Sequence, residues 1–223
     1  MKIVTQQRAL KIIRETPVEI RQEFTKSYDM LSAINFGEFV IDTKPTLYYS
    51  VQETDDYYYI FFGIYHFRDY SHFHDFEGIL LRKAKTSQKL KEDNNCTILI
   101  TRSHYNLFFY NINGTIPPTI LIEGNGHGIE HSKNKTVKNY INYTYFKYQN
   151  MNDKRHQKQW KEFFGAAKHI QAPWFWLDTK MDNYIKKHRS KVLKKYKVST
   201  STGLIWNDPD TLINIAMDMG YVK

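Results

Sequence analysis

The sequence predicts a mainly β protein with peripheral helices, an α+β arrangement built on an antiparallel β-sandwich core. Three observations predict it. Aromatic content is 16%, with 17 Tyr and 14 Phe, residues that fit a pleated, half-buried surface. Short strand-like runs separated by turn signals follow one another from Gly37 to Tyr148. No helical pattern of ten to fifteen residues recurs between them, which speaks against a doubly wound parallel sheet. A chain of 223 residues is long enough to bury a sizeable core as one domain.

Residues 1–36 read as an N-terminal helical arm. TPVE at 16–19 is a start signal, with Thr16 as N-cap, Pro17 at the first helical position and Glu19 closing a capping box. Val18, Ile20, Phe24, Tyr28 and Leu31 then recur at helical spacing, and Gly37 supplies a stop. Residues 37–148 form the expected sandwich. Its candidate strands are 38–42, 46–52, 57–67, 76–83, 96–101, 105–111, 119–123 and 140–148. Lys44-Pro45, Thr54-Asp55-Asp56, the polar stretch 85–95, Asn113-Gly114 and Pro117-Pro118 punctuate them. Residues 149–223 turn helical and are expected to pack on the sandwich. They hold QKQWKEFFGAAKHI, the aromatic knot Ala172-Pro173-Trp174-Phe175-Trp176, a helix from Asp178 to about Lys197, and a last helix opened by Asp208-Pro209.

Charge narrows the partners. Thirty-two Lys and Arg against 23 Asp and Glu leave +9, which suits an anionic ligand: a phosphate-containing group, a glycan or a lipid headgroup. The helix 178–197 is the most basic tract, and Lys186, Lys187, Arg189 and Lys194 are its candidate anion contacts, with nucleic acid a further partner. The single cysteine, Cys96, excludes an intramolecular disulfide, and MKIVTQQRALKIIRE has no uninterrupted apolar core of a secretory signal. Both features fit a cytoplasmic or intracellular protein. No run approaches the length of a membrane span.

The chemistry concentrates in Tyr65–Glu77, YHFRDYSHFHDFE, between the apolar runs YYYIFFGI and GILL. Ionisable groups packed between two buried strands are costly unless paired, and a divalent cation is an economical partner. If 76–83 is a strand, Asp75 and Glu77 share one face at its start while His74 and Phe76 take the other. His72, in the turn after Asp69, can bend back over the carboxylates. The expected metal ligands are therefore Asp69, His72, Asp75 and Glu77. Three carboxylates and one imidazole suit Mg²⁺, Ca²⁺ or Mn²⁺ better than Zn²⁺. A second cluster, GNGHGIEH at 124–131, presents His127 in a glycine-rich loop. His127 is a candidate general base or further ligand, and His74 a weaker catalytic candidate.

SHFHDFE at 71–77, with Asp69 upstream, an aromatic strand before and an apolar strand after, resembles the necrosis-inducing cytolytic toxins of plant-associated microbes, whose hallmark heptapeptide is GHRHDWE. It is also similar to a broader vacuolar-sorting-type domain carrying an HxHDWEG string. His72, His74, Asp75, Glu77 and Gly78 match, Phe76 stands for the Trp, and Ser71 and Phe73 depart from the pattern. The resemblance spans roughly residues 57–130. It implies a β-sandwich holding a divalent cation on Asp69, His72, Asp75 and Glu77. Two functions follow as expectations. One is a metal-dependent hydrolase of a phosphate ester or other anionic substrate. The other is non-catalytic, cation-dependent binding of a glycan or lipid headgroup.

Overall fold

The computed structural model describes residues 1–35, 40–42, 44–113, 117–131, 139–153, 158–159, 162 and 178–222. Among these, a seven-stranded sheet carries the fold. Its path runs β1 (Lys2–Ile3), β5 (Thr46–Glu53), β6 (Tyr57–Arg68), β7 (Phe73–Ala84), β8 (Ile98–Ser103), β9 (Asn106–Asn111), with β13 (Lys147–Asn150) pairing β5 off that path. From β5 to β9 each strand pairs antiparallel with its sequence neighbour. The second sheet, in the order β11 (Ile129–His131), β10 (Thr119–Ile122), β2 (Glu19–Glu23), β12 (Tyr140–Tyr143), has four strands. A ribbon of β3 (Ala33–Asn35) and β4 (Val40–Asp42) stands apart.

The mainly β, α+β expectation holds, with a qualification on strand direction. The pairs β10–β2 and β13–β5 are parallel, so the sandwich is antiparallel in most but not all of its ladders.

The run YYYIFFGI reads as continuously apolar because β6 is covered on both faces. Ile60, Phe62 and Ile64, with Ile79 and Leu81 of β7, face Ile20, Ile120, Ile122 and Ile129 of the four-stranded sheet. Helix α1 (Gln6–Arg14) adds Ala9, Ile12 and Ile13 to that core. Tyr59, Phe61 and Tyr65, with Phe76 and Leu80, turn the other way. They pack against the C-terminal helices through Met181, Ile185, Val192, Leu212, Ile213 and Ala216. Gly63 serves this second face. A Cβ there would lie 2.2 Å from the Phe76 ring, so only glycine lets that ring lie flat across the ladder.

The helical reading of 16–34 is corrected. The helix lies earlier, at Gln6–Arg14, and residues 19–23 are a strand inside the four-stranded sheet. Thr16 is fully buried and its hydroxyl accepts a hydrogen bond from Lys83 Nζ at 2.9 Å, so it caps nothing. Glu19–Glu23 alternates, with Ile20 and Gln22 buried, and two neighbouring strands supply the ladder. Tertiary pairing here overrides a good local helix signal.

A short helix, α2 (Ser87–Glu92), interrupts the polar stretch after β7. The expected helix 178–197 is two helices, α3 (Thr179–Lys187) and α4 (Arg189–Tyr196), broken at His188. Asp178 caps α3 through Met181 N–H, and its other oxygen accepts Leu107 N–H at 3.0 Å, which ties the helix to β9. Two more helices, α5 (Leu204–Asn207) and α6 (Pro209–Asp218), complete this layer, the second opened by Asp208 as expected. No described helix is long and apolar enough to cross a membrane. The aromatic knot 172–176, the Gly37 stop and nearly all of the helix expected within 154–170 lie outside the described residues.

Candidate metal centre

The β6–β7 hairpin turns at Asp69 to His72, where Asp69 N–H donates to the His72 carbonyl at 2.9 Å. That register sets His66 directly opposite Asp75, and Ile64 opposite Glu77. Strand phase then does what the sequence predicts. Asp75 and Glu77 stay on the face toward the four-stranded sheet, and His74 leaves it: its Nδ1 lies 2.7 Å from the Tyr65 hydroxyl on the helix-covered face. His74 has φ 66°, and the 67–74 pair is missing from the ladder, so a left-handed residue marks the bend into the turn. His74 thus sits on the face opposite Asp75 and Glu77.

The expected four ligands do not gather as a set. Asp69 folds onto its own turn, accepting the backbone N–H groups of Ser71 and His72 at 2.6 Å each. His72 does bend back, but onto Asp69, with Nε2 at 3.3 Å from Oδ2. Glu77 is buried against Arg102, whose Nη1 donates to it at 2.9 Å. Burial pushes the Glu77 carboxyl well above the usual carboxylate range, and Arg102 pulls it only part of the way back. A carboxylate held by a buried guanidinium has its charge already met. Asp75 is the one of the four that joins a larger polar cluster.

That cluster centres on His127. The loop after β10 carries it in a left-handed backbone, φ 56°. Gly124 permits the loop's close approach, since a Cβ there would meet the Thr25 side chain at 2.7 Å. The Tyr70 N–H donates to the Asn125 carbonyl at 2.9 Å, joining this loop to the hairpin turn. His127 is fully buried. Its Nδ1 lies 3.0 Å from Asp75 and its Nε2 3.1 Å from Asp29. Carboxylates accept, so both ring nitrogens donate and the ring carries a positive charge between two negative ones. Burial alone pushes this imidazole down; the hydrogen bonds it donates to Asp29 and Asp75 outweigh it and hold its pKa above the ordinary value.

Asp29 is a locked anion. It also accepts from Thr25 N–H at 2.8 Å, Thr25 Oγ1 at 2.7 Å, Lys26 N–H at 2.7 Å and Asn125 N–H at 2.8 Å. Burial pushes its carboxyl up, and these donors together bring it well below the usual carboxylate range.

His66 completes the cluster. Its ring stacks on His127, with centroids 3.7 Å apart and planes 10° from parallel. Gln22 decides its tautomer. The Gln22 amide nitrogen donates to the carbonyls of Glu23 and Glu123, which leaves Oε1 facing His66 Nε2 at 2.8 Å. His66 Nε2 therefore carries the proton and Nδ1 is a bare lone pair. That Nδ1 is buried and has no hydrogen-bond partner among the described residues. Burial, and then the neighbouring His127 charge, hold the His66 pKa well below its ordinary value, so the ring is neutral.

Ligand atoms of His66, Asp75 and His127 lie within 4.8 Å of one another, all three residues are buried, and the group can hold a metal ion. Of the expected cation site, this much is present: a buried group that could hold an ion. His127 belongs to it, His66 joins it in place of the other expected ligands, and Asp29 and Gln22 brace the two imidazoles. Comparison with known proteins leaves the geometry to speak for itself: no family model, no curated protein and no solved structure matches the chain.

Proposed function

We propose that this protein is a divalent-cation-dependent binding protein, with the ion held by His66, Asp75 and His127 and with no bond broken at it. The observation that carries this reading is the bare, buried Nδ1 of His66 beside Asp75 and His127. A buried acceptor with no donor costs about 1–3 kcal/mol, and a cation is the partner that its lone pair, a carboxylate and a second imidazole have in common. Two imidazoles and one carboxylate favour a first-row transition ion such as Zn²⁺ or Mn²⁺ over the oxygen-seeking Mg²⁺ and Ca²⁺. Asp29 would then be the carboxylate that orients His127 through Nε2–H, and Gln22 the group that orients His66.

Binding of the ion would require two changes. His127 must give up its Nδ1 proton, so affinity rises with pH. An imidazole coordinates through a lone pair in its ring plane, so one ring must tilt out of the parallel stack. Full burial of both rings supports a binding role over hydrolysis, since a substrate needs a reachable position on the ion. The ion would tie the hairpin turn to the 124–128 loop. That edge exposes Tyr70 and Phe73, with Arg68 5.2 Å over the Phe73 ring. Aromatic rings beside a cation suit an anionic glycan or lipid headgroup.

Calorimetry on metal-stripped protein with Zn²⁺, Mn²⁺, Mg²⁺ and Ca²⁺ tests the reading. Wild type should bind one equivalent of a transition ion and melt at higher temperature with it. His66→Gln and Asp75→Asn should lose that binding, while Glu77→Gln should keep it. Visible bands of the Co²⁺-loaded protein should disappear in His66→Gln. Absence of ion binding in wild type defeats the proposal. Metal-dependent turnover of phosphate esters by the loaded protein would establish the hydrolase instead.

A further inference from the structure

The net charge of this protein is not spread over its surface. The chain carries 32 Lys and Arg against 23 Asp and Glu, a balance of +9. The 18 residues from Lys180 to Lys197 hold eight of those cations and a single acid, Asp182, a balance of +7. The other 205 residues therefore carry +2 between them. Most of the chain's excess positive charge thus lies in one short tract.

The fold turns this charge outward as a block. Met181, Ile185 and Val192 pack α3 and α4 on the aromatic face of the large sheet. The Asp178 bond to Leu107 N–H and the Lys195–Asp218 pair anchor the two helices to β9 and α6. Lys186 is held by Asp182 at 2.9 Å. What remains is Lys180, Lys187, Arg189, Lys191, Lys194 and Lys197. All six are exposed, and none has a carboxylate within ion-pair distance among the described residues. Arg189, Lys191 and Lys194 sit on the eight-residue α4, where one turn advances about 5.4 Å. Lys191 and Lys194, three apart, are neighbours on its surface, so this helix holds two exposed cations side by side.

The composition of that face selects the polyanion. No large hydrophobic residue between Asp178 and Thr200 is exposed, so α3 and α4 themselves present no anchor to sink into a bilayer. Its two tyrosines, Tyr184 and Tyr196, are partly buried against the core. Tyr196 also bonds Asp218, so among the described residues of α3 and α4 neither tyrosine is a free ring on which bases could stack. Charge without apolar anchors or stacking platforms is the pattern of phosphate-backbone contact. We propose that α3 and α4 form a nucleic-acid-binding surface that grips the sugar–phosphate backbone without reading sequence. It is independent of the metal centre, which draws on different elements of the fold.

Fluorescence anisotropy with a labelled random-sequence duplex, measured across a salt series, tests this on the full chain. The logarithm of the association constant should fall linearly with the logarithm of salt, at about 0.9 per phosphate contacted. Lys187→Gln, Arg189→Gln, Lys191→Gln and Lys194→Gln together should weaken binding by roughly tenfold or more at low salt and flatten that slope. A control with Lys2→Gln, Lys26→Gln, Lys91→Gln and Lys147→Gln changes net charge equally at exposed positions elsewhere and should bind nearly as wild type. Equal loss in both quadruple variants, or no binding by wild type, overturns the proposal. Tighter binding to anionic phosphatidylserine vesicles than to the duplex also overturns it, in favour of a membrane surface. Unchanged melting temperatures of the helix variant exclude unfolding as the cause.

Discussion

One face of the β6–β7 ladder holds two kinds of interior side by side. Ile60, Phe62, Ile64, Ile79 and Leu81 fill its middle, packed on the isoleucines of the small sheet. Toward the turn the same face carries Glu77, then the opposed pair His66 and Asp75. Both halves are buried, but different physics holds them. The apolar half needs only close packing, and each residue contributes much as it would in any core. The ionic half is stable only as a set: Glu77 with Arg102, Asp75 and Asp29 with His127, His66 with Gln22. Removing one member strands its partner.

The sharpest way to break this comparison is Arg102→Met. It should cost about 3–5 kcal/mol in urea unfolding, because it leaves Glu77 buried without its cation. Adding Glu77→Leu should recover most of that loss, since the penalty lies in the orphaned charge and not in the missing pair. Next, Leu81→Ala in the apolar half should cost about 2–5 kcal/mol, and no change at a neighbouring position should restore it beyond refilling the cavity. Rescue of the second variant by a polar change, or failure to rescue the first, would erase the distinction.

A smaller effect belongs to the helix layer. Asp178→Ala removes both the α3 cap and the acceptor for Leu107 N–H, and should lower stability by about 1–2 kcal/mol. The smallest is a pH effect at Asp182. Burial pushes its carboxyl up, but Thr200, Lys186 and the Ser201 N–H hold it below the ordinary value. A depressed carboxyl contributes stability that is present above its unfolded pKa and lost as pH falls through the folded one. Asp182→Asn should therefore flatten the acid limb of a melting-temperature profile below about pH 4 and leave its shape at neutral pH unchanged.

Much of the sheet was legible because aromatic and apolar runs bounded by turn signals recur from β5 to β10. The phase of β7 was legible because residues two apart in a strand share a face, which is why Asp75 and His74 fall on the predicted faces. The strand at 19–23 was not, because its ladder comes from residues a hundred positions away while a capping box pointed to a helix. The buried polar cluster was half legible. Asp75 and His127 stand out in the sequence, whereas His66 does not. The signal for His66 was present: a tight turn closed by Asp69 and His72 fixes a register in which 66 opposes 75. Asp29 and Gln22 carry no local signature at all. They act through long-range contacts, and only the folded chain brings them to the imidazoles.

The placement of β2 also sets an order of assembly. The strands from β5 to β9 pair with their immediate sequence neighbours and can zip as hairpins while the chain is still lengthening. Ile20, in contrast, pairs with Ile120, and β2 lies between β10 and β12. Closing a loop of that length costs about 4 kcal/mol of chain entropy before any contact rewards it. During synthesis on a ribosome, the isoleucine face of the large sheet therefore waits uncovered until residue 143 has emerged. Gln22, Asp29, His66 and His127 meet in that same closing step, so the completed cluster reports that the last layer has docked.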